Sequence, residues 1–114
     1  MFLCNIYATI KIMIYEIKKT RHFEHWFTKL KEPSTKARLL LRLRQVSLGN
    51  FGDHKSLGAG LFELRFFFGS GYRIYYTIQN DQVVLLLIGG DKSSQEKDIK
   101  KAHSILDTLG QDNE

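Results

Sequence analysis

"LFELRFFFGSGYRIYYTIQNDQVVLLLI", residues 61–88, decides the fold. Its apolar periodicity predicts a strand over 61–68, a turn at Gly69-Ser70-Gly71, a strand over 72–79, a turn at Asn80-Asp81 and a strand over 83–88. The run from Val83 to Ile88 is apolar on both faces and belongs in the interior of a sheet. Phe62, Leu64, Phe66 and Phe68 form one face of the first strand, and Tyr72, Ile74, Tyr76 and Ile78 the matching face of the second. If both sets face the core, the expected register places Phe66 opposite Ile74 and Arg65 opposite Tyr75. Glu63, Arg65, Arg73 and Tyr75 then share the other face, an open floor where two guanidiniums stand beside an aromatic and a carboxylate. Such a floor suits a phosphate group. The plainer reading is a set of exposed sheet ion pairs of small energetic value.

Outward from this core, "MIYEIK" (13–18) alternates as a first strand. "TRHFEHWFTKL" (20–30) sets Phe23, Trp26, Phe27 and Leu30 on one helical face, with Thr20 as cap. A turn at "KEPS" leads to a second helix over 34–48 with Ala37, Leu40, Leu41, Leu43 and Leu48 on its apolar side and Arg38, Arg42 and Gln45 on a solvated one. "LGNFGDHKSLGAG" (48–60) holds four glycines and reads as a loop. After "GG" at 89–90 breaks the last strand, Ser93 and Glu96 have capping-box spacing. They open a final helix whose stripe of Ile99, Ala102, Ile105, Leu106 and Leu109 ends at Gly110. Asp91 and Asp98 at this helix start read as dipole and amide partners rather than as a metal pair.

The chain has 114 residues, 43% apolar and 25% charged, which is enough for one domain and one core. Residues 13–110 are read as that domain, residues 1–12 as an N-terminal extension and 111–114 as a tail. Two readings of the opening stay open: its alternation (Ile6, Ala8, Ile10, Ile12) extends the first strand, or Met13 is the true start. The segment is too short to span a bilayer and lacks signal-peptide features, so no membrane partner is expected. A single cysteine, Cys4, points to a reducing cytoplasm. Residues 1–73 carry 13 Lys/Arg against 5 Asp/Glu, whereas residues 74–114 carry 4 against 7. That asymmetry favours a polyanionic partner, beside the simpler reading that a chain of net charge +5 is merely soluble.

The combination of "GNFGDHK", "FELR", "GYRIYY" and "GGDKSSQEKDI" over residues 13–109 resembles the RelE/ParE toxin superfamily, and within it the HigB-like addiction-module killer proteins. The resemblance implies an α+β, RelE-like fold. An N-terminal strand and a two-helix hairpin pack on a twisted, mainly antiparallel sheet, and a C-terminal helix follows. It further implies a toxin paired with a cognate antitoxin, expected to be of helix-turn-helix type, and an endoribonuclease that cuts mRNA on the ribosome. A ParE-like poison of DNA gyrase and a non-catalytic nucleic-acid-binding co-repressor are the alternatives.

Ribonuclease chemistry of this kind uses the RNA's own 2′-hydroxyl as nucleophile. It needs a base for that hydroxyl, cations for the charge gathering on phosphate, and a proton for the departing 5′-oxygen. Carried over by position, the resemblance assigns Arg65 and Arg73 to the scissile phosphate and Lys92 to a basic position after the last strand. Lys55 and Tyr75 are further RNA contacts, and His54 and Glu63 are the candidate bases. His103 lies near an apolar stripe and reads as packed or solvated. The tyrosine or histidine that several relatives carry near the last helix has no clear match, and neither metal nor cofactor is expected.

Overall fold

The computed structural model describes residues 14–112. In chain order it contains β1 (Glu16–Lys19), α1 (Arg21–Thr28), α2 (Pro33–Ser47), β2 (His54–Gly58), β3 (Leu61–Arg65), β4 (Arg73–Gln79), β5 (Val83–Gly90), a 3-10 turn (Lys92–Ser94) and α3 (Gln95–Asp112). The five strands form one sheet in the order β1-β5-β4-β3-β2, with β1 parallel to β5 and the other pairs antiparallel. The readings of residues 1–12 lie outside the described residues.

Each face of the sheet has its own core. Against one face, Phe23 of α1 and Leu39, Leu43 and Val46 of α2 pack on Leu64, Phe66, Ile74, Tyr76, Val84 and Leu86. Against the other, Ala102 and Ile105 of α3 pack on Leu61, Tyr75 and Leu87. The predicted core face is borne out: Phe62, Phe68, Tyr72 and Ile78 all join the first core. Strand β5 is interior and packed on both sides, as its doubly apolar run requires. A bulge opposite Tyr75/Tyr76 inserts one extra residue there. Leu87 and Ile88 therefore both join the second core.

Local chemistry explains most boundaries. The Thr20 hydroxyl accepts from Phe23 N at 3.1 Å, capping α1 as expected, and donates to Leu87 O at 2.7 Å. Asn80 and Asp81 adopt φ of 54° and 56°, and Gln82 N donates to Gln79 O, so the β4–β5 hairpin closes on a tight left-handed turn.

Several expectations change. The β3–β4 register pairs Leu64 with Ile74 and Arg65 with Arg73, two residues from the predicted pairing, because β3 leaves the ladder at Arg65 and the wider 67–71 loop joins the strands. A two-residue slip keeps every side chain on its face, so periodicity does not detect it. The stretch read as a loop contains β2, an exposed edge strand paired to β3. Strand β5 does not break at Gly89-Gly90 but continues through them, since a Cβ there would enter the Trp26 ring or the Asp98 carboxylate. Helix α2 turns Thr35, Leu39, Leu43 and Val46 inward and leaves Leu40, Leu41 and Leu48 exposed. The cap before α3 is Asp91 with Ser94, not Ser93 with Glu96, and α3 runs through Gly110 to Asp112.

Candidate functional site

Strands β3 and β4 place Glu63, Arg65, Arg73 and Tyr75 on one face, as their alternation predicts, with Glu63 opposite Tyr75 and Arg65 opposite Arg73. This face is not an open floor. Helix α3 lies over it, so Tyr75 is fully buried and Glu63 is 1% exposed. The apolar stripe of α3 needs a partner surface, and the second face of the sheet supplies it.

Glu63 is held rather than free. Its Oε2 accepts from Gln95 Nε2 at 2.9 Å and lies 3.4 Å from Arg73 Nε. A buried carboxyl group needs such partners in place of water. Arg73 is itself only 12% exposed, and its Nη1 donates to Gly71 O at 2.9 Å. The Tyr75 hydroxyl has no hydrogen-bond partner among the described residues. Burial foremost, then the Glu63 and Asp98 carboxylates, push its ionisation far up, so it stays neutral. The covering helix therefore leaves Glu63 no open position as a base and Tyr75 none as an RNA contact.

Arg65 sits at the more accessible end. Its Nε and Nη2 grip the two Asp53 oxygens at 3.1 and 3.0 Å, with 35% of the side chain exposed. The Asp53 hydrogen bond, followed by the charge of Asp53, raises the Arg65 pKa, so the guanidinium is permanently charged. Lys55 stands opposite Glu63 on the edge strand and is exposed. Lys92, also exposed, starts the 3-10 turn beside Gly71, where a Cβ would touch both Lys92 Cβ and Arg73 Nη1. Thus Arg65, Arg73, Lys55 and Lys92 lie toward the loop end of the β3–β4 hairpin.

His54 is separate. It pairs with Leu64, which faces the first core, so it projects on the opposite side of the sheet from Glu63. Its Nδ1 lies 2.9 Å from Gly52 O. A carbonyl only accepts, so Nδ1 is the donor in this contact.

Sequence reasoning passed over Arg42 as a solvated residue. Its guanidinium donates to Phe51 O, Asp53 O and Arg65 O at 2.8–3.2 Å and lies 4.8 Å from the Phe66 ring centroid. Burial lowers its pKa against the opposing pull of Asp53. Arg42 therefore ties the glycine-rich segment to the end of β3 and sets the position of Arg65. Gly52, at φ +67°, leaves space for it: a Cβ would stand 3.0 Å from Arg42 Nε. The exposed Arg38 stacks 3.8 Å above Phe68. Arg38, Arg42, Arg65 and Asp53 line a cleft of about 300 Å³ together with Phe67, which is 83% exposed. The signal available beforehand was the "FFF" run: alternation lets only one face enter the core, so Phe67 had to point elsewhere.

The remaining candidates are structural. Asp91 accepts from Ser93 N and Ser93 Oγ at 2.9 and 2.6 Å, and the Ser93 bond foremost lowers its pKa. Asp98 accepts from Ser94 Oγ at 2.5 Å. Among the described residues no group of three or more His, Cys, Asp or Glu is placed to hold a metal ion, and no helix is long and apolar enough to cross a membrane.

Comparison with known proteins matches this geometry to a family. Residues 25–107 match the model of the phage-derived protein Gp49-like family (DUF891). An uncharacterized protein of Haemophilus influenzae is 48% identical over 98 residues, covering 86% of this chain and 99% of the relative. Among solved structures, the toxin–antitoxin complex RelBE2 of Mycobacterium tuberculosis superposes with a TM-score of 0.58 at 24% identity, covering 69% of this chain and 99% of that one. A mutant of E. coli toxin RelE in the free state superposes at 0.60 and 21% identity, covering 73% and 90%. The helical hairpin, the five-stranded sheet and the C-terminal helix are thus the RelE fold, and the chain belongs to the phage-derived Gp49-like family.

Proposed function

We propose that this chain is the toxin of a two-protein toxin–antitoxin module and acts as an endoribonuclease on mRNA at the ribosome. The observation that carries this reading is the convergence of Arg42, Arg65 and Arg73 at one end of the β3–β4 hairpin, ringed by exposed Lys55 and Lys92. The RelE fold supports it, since one superposing structure is a toxin bound to its antitoxin.

In this reading Arg65 and Arg73 neutralise charge on the phosphate as the 2′-hydroxyl attacks, and Lys55 and Lys92 hold the flanking backbone. Arginine supplies charge and not a base at neutral pH, and His54 projects from the opposite face of the sheet, so the hydroxyl proton passes to a group outside this cation cluster. Glu63 serves as the counter-ion that orients Arg73. The 2′-oxygen–phosphorus bond forms as the bond to the 5′-oxygen breaks, leaving a 2′,3′-cyclic phosphate, and solvent supplies the proton to the departing 5′-oxygen. The partner is a small acidic antitoxin of helix-turn-helix type encoded beside this chain.

Testing the arginines requires care, because Arg73→Ala alone strands a buried Glu63 and is expected to cost about 3–5 kcal/mol of stability. Arg73→Met combined with Glu63→Gln removes both charges together. In cells expressing the chain, 5′-end mapping should show cuts within translated messages. Arg65→Ala and the Arg73→Met/Glu63→Gln double variant should each lower cleavage about 30- to 1,000-fold, the equivalent of about 2–4 kcal/mol of transition-state stabilisation. Undiminished cleavage in both would remove the assignment. Intact mRNA with accumulated gyrase–DNA cleavage complexes would select gyrase as the target instead.

A further inference from the structure

Toward the β1–β5 edge of the sheet, α1 and α3 flank a continuous groove formed by two adjoining clefts of about 800 and 650 Å³ that share Arg21, His22 and Lys101. Arg21 and His25 of α1 and its C-cap Lys29 recur every four residues, and Lys97, Lys100 and Lys101 of α3 line the same clefts. All six are exposed, and none makes a salt bridge among the described residues. The one carboxylate lining the groove, Asp98, is turned to Ser94. Like charges at i, i+4 repel, as Lys97 and Lys101 do on α3, and Arg21 and Lys29 across the groove add to that repulsion. The arrangement therefore costs the folded chain stability unless an anion occupies the groove.

The floor distinguishes which anion. Leu85, Ile88, Ile105 and Leu109 form most of it, with Trp26 at one end as its one indole, and four aliphatic side chains beside a single large ring favour apolar side chains over a run of stacked bases. Strand β1 also stops pairing at Leu86, so the outer backbone edge of β5 at Ile88 and Gly89 has no strand beside it. An open strand edge accepts polypeptide.

We infer that the α1–α3 groove is a docking site for an acidic amphipathic segment of a protein partner, with apolar side chains on the Leu85/Ile88/Ile105/Leu109 floor and carboxylates on the two cationic rims. The stretch of α3 from Lys97 to Leu109 is about 18 Å long, which matches about twelve residues of helix or about five of extended chain. The inference rests on the paired-protein reading only for the partner's identity.

The test uses the full chain and a fluorescein-labelled 12-residue peptide of glutamate and leucine in amphipathic order, followed by anisotropy. Controls are the same peptide with leucine replaced by serine and a 12-nucleotide single-stranded RNA. Saturable, salt-sensitive binding of the leucine peptide is expected, weakened about tenfold or more by Arg21→Glu/Lys101→Glu and by the serine substitutions. Lys97→Gln/Lys101→Gln serves as a milder pair should charge reversal impair folding, which thermal melting reports. RNA bound more tightly than peptide and lost in the same variants would make the groove a nucleic-acid surface and overturn the inference. Absence of saturable peptide binding, or equal binding of the serine peptide, would overturn it as well. Cleavage of mRNA by the Arg21→Glu/Lys101→Glu variant is expected to persist, so this inference and the ribonuclease reading fail separately.

Discussion

Replacing Arg42 with alanine tests whether one half-buried guanidinium organises the candidate site. Four hydrogen bonds run from it to three backbone carbonyls, those of Phe51, Asp53 and Arg65. Hydrogen bonds to charged groups contribute about 1.5–3 kcal/mol where both ends are dry. The cleft here is open on one side, so water recovers part of each carbonyl's loss, and the partial desolvation that lowers the Arg42 pKa offsets more. About 1 kcal/mol per carbonyl is the reasonable allowance, with about 0.5–1 kcal/mol from stacking over Phe66. The expected loss is about 3.5–4 kcal/mol, a fall in Tm of roughly 14–30 °C for a domain this size. Arg42→Lys keeps the charge but reaches fewer carbonyls and should lose about half as much. Urea denaturation should show a lower midpoint at unchanged slope, and hydrogen exchange should rise across residues 51–53. A loss under about 0.5 kcal/mol in Arg42→Ala, or equal losses for alanine and lysine, would refute the bracing argument.

Other consequences are equally direct. Gly89→Ala drives a methyl group into the Trp26 indole and should cost about 1–3 kcal/mol, partly restored by Trp26→Leu; an unchanged urea midpoint would contradict the close approach. Burial raises the pKa of both Tyr75 and Tyr76 above the ordinary value of 10.0, so the fold favours their neutral forms. Their stabilisation is fully present below that value and falls as pH rises beyond it. Ultraviolet titration should show these two of the five tyrosines ionising only as the protein unfolds, and reversible ionisation of all five in the folded state would be the contrary result. Phe67→Ala should leave stability within about 0.5 kcal/mol yet lower mRNA cleavage about 5- to 150-fold through a lost stacking surface, with Phe67→Trp retaining activity; unaltered cleavage in the alanine variant would exclude stacking there.

Legible in the chain alone were the strand faces, the helical hairpin, the Thr20 cap, the Asn80-Asp81 turn and the placement of Glu63, Arg65, Arg73 and Tyr75 on one face. Each of these is written in short-range periodicity or in the chemistry of one or two residues. The rest took shape only in three dimensions. The β3–β4 register depends on how the 67–71 loop closes, and a slip of two residues leaves the pattern unchanged. Strand β2 is polar and exposed, so only its main-chain pairing to β3 marks it. Arg42 was illegible because its acceptors are carbonyl oxygens, which every residue carries and no side-chain pattern reports. The supposed floor became an interior because the α3 stripe, about thirty residues along the chain, folds back over Tyr75. The basic rows of α1 and α3 are each visible as i, i+4 spacing, but nearly seventy residues separate them, and only the closing of the sheet between the two helices brings Arg21 and Lys29 to face Lys97 and Lys101 across one groove.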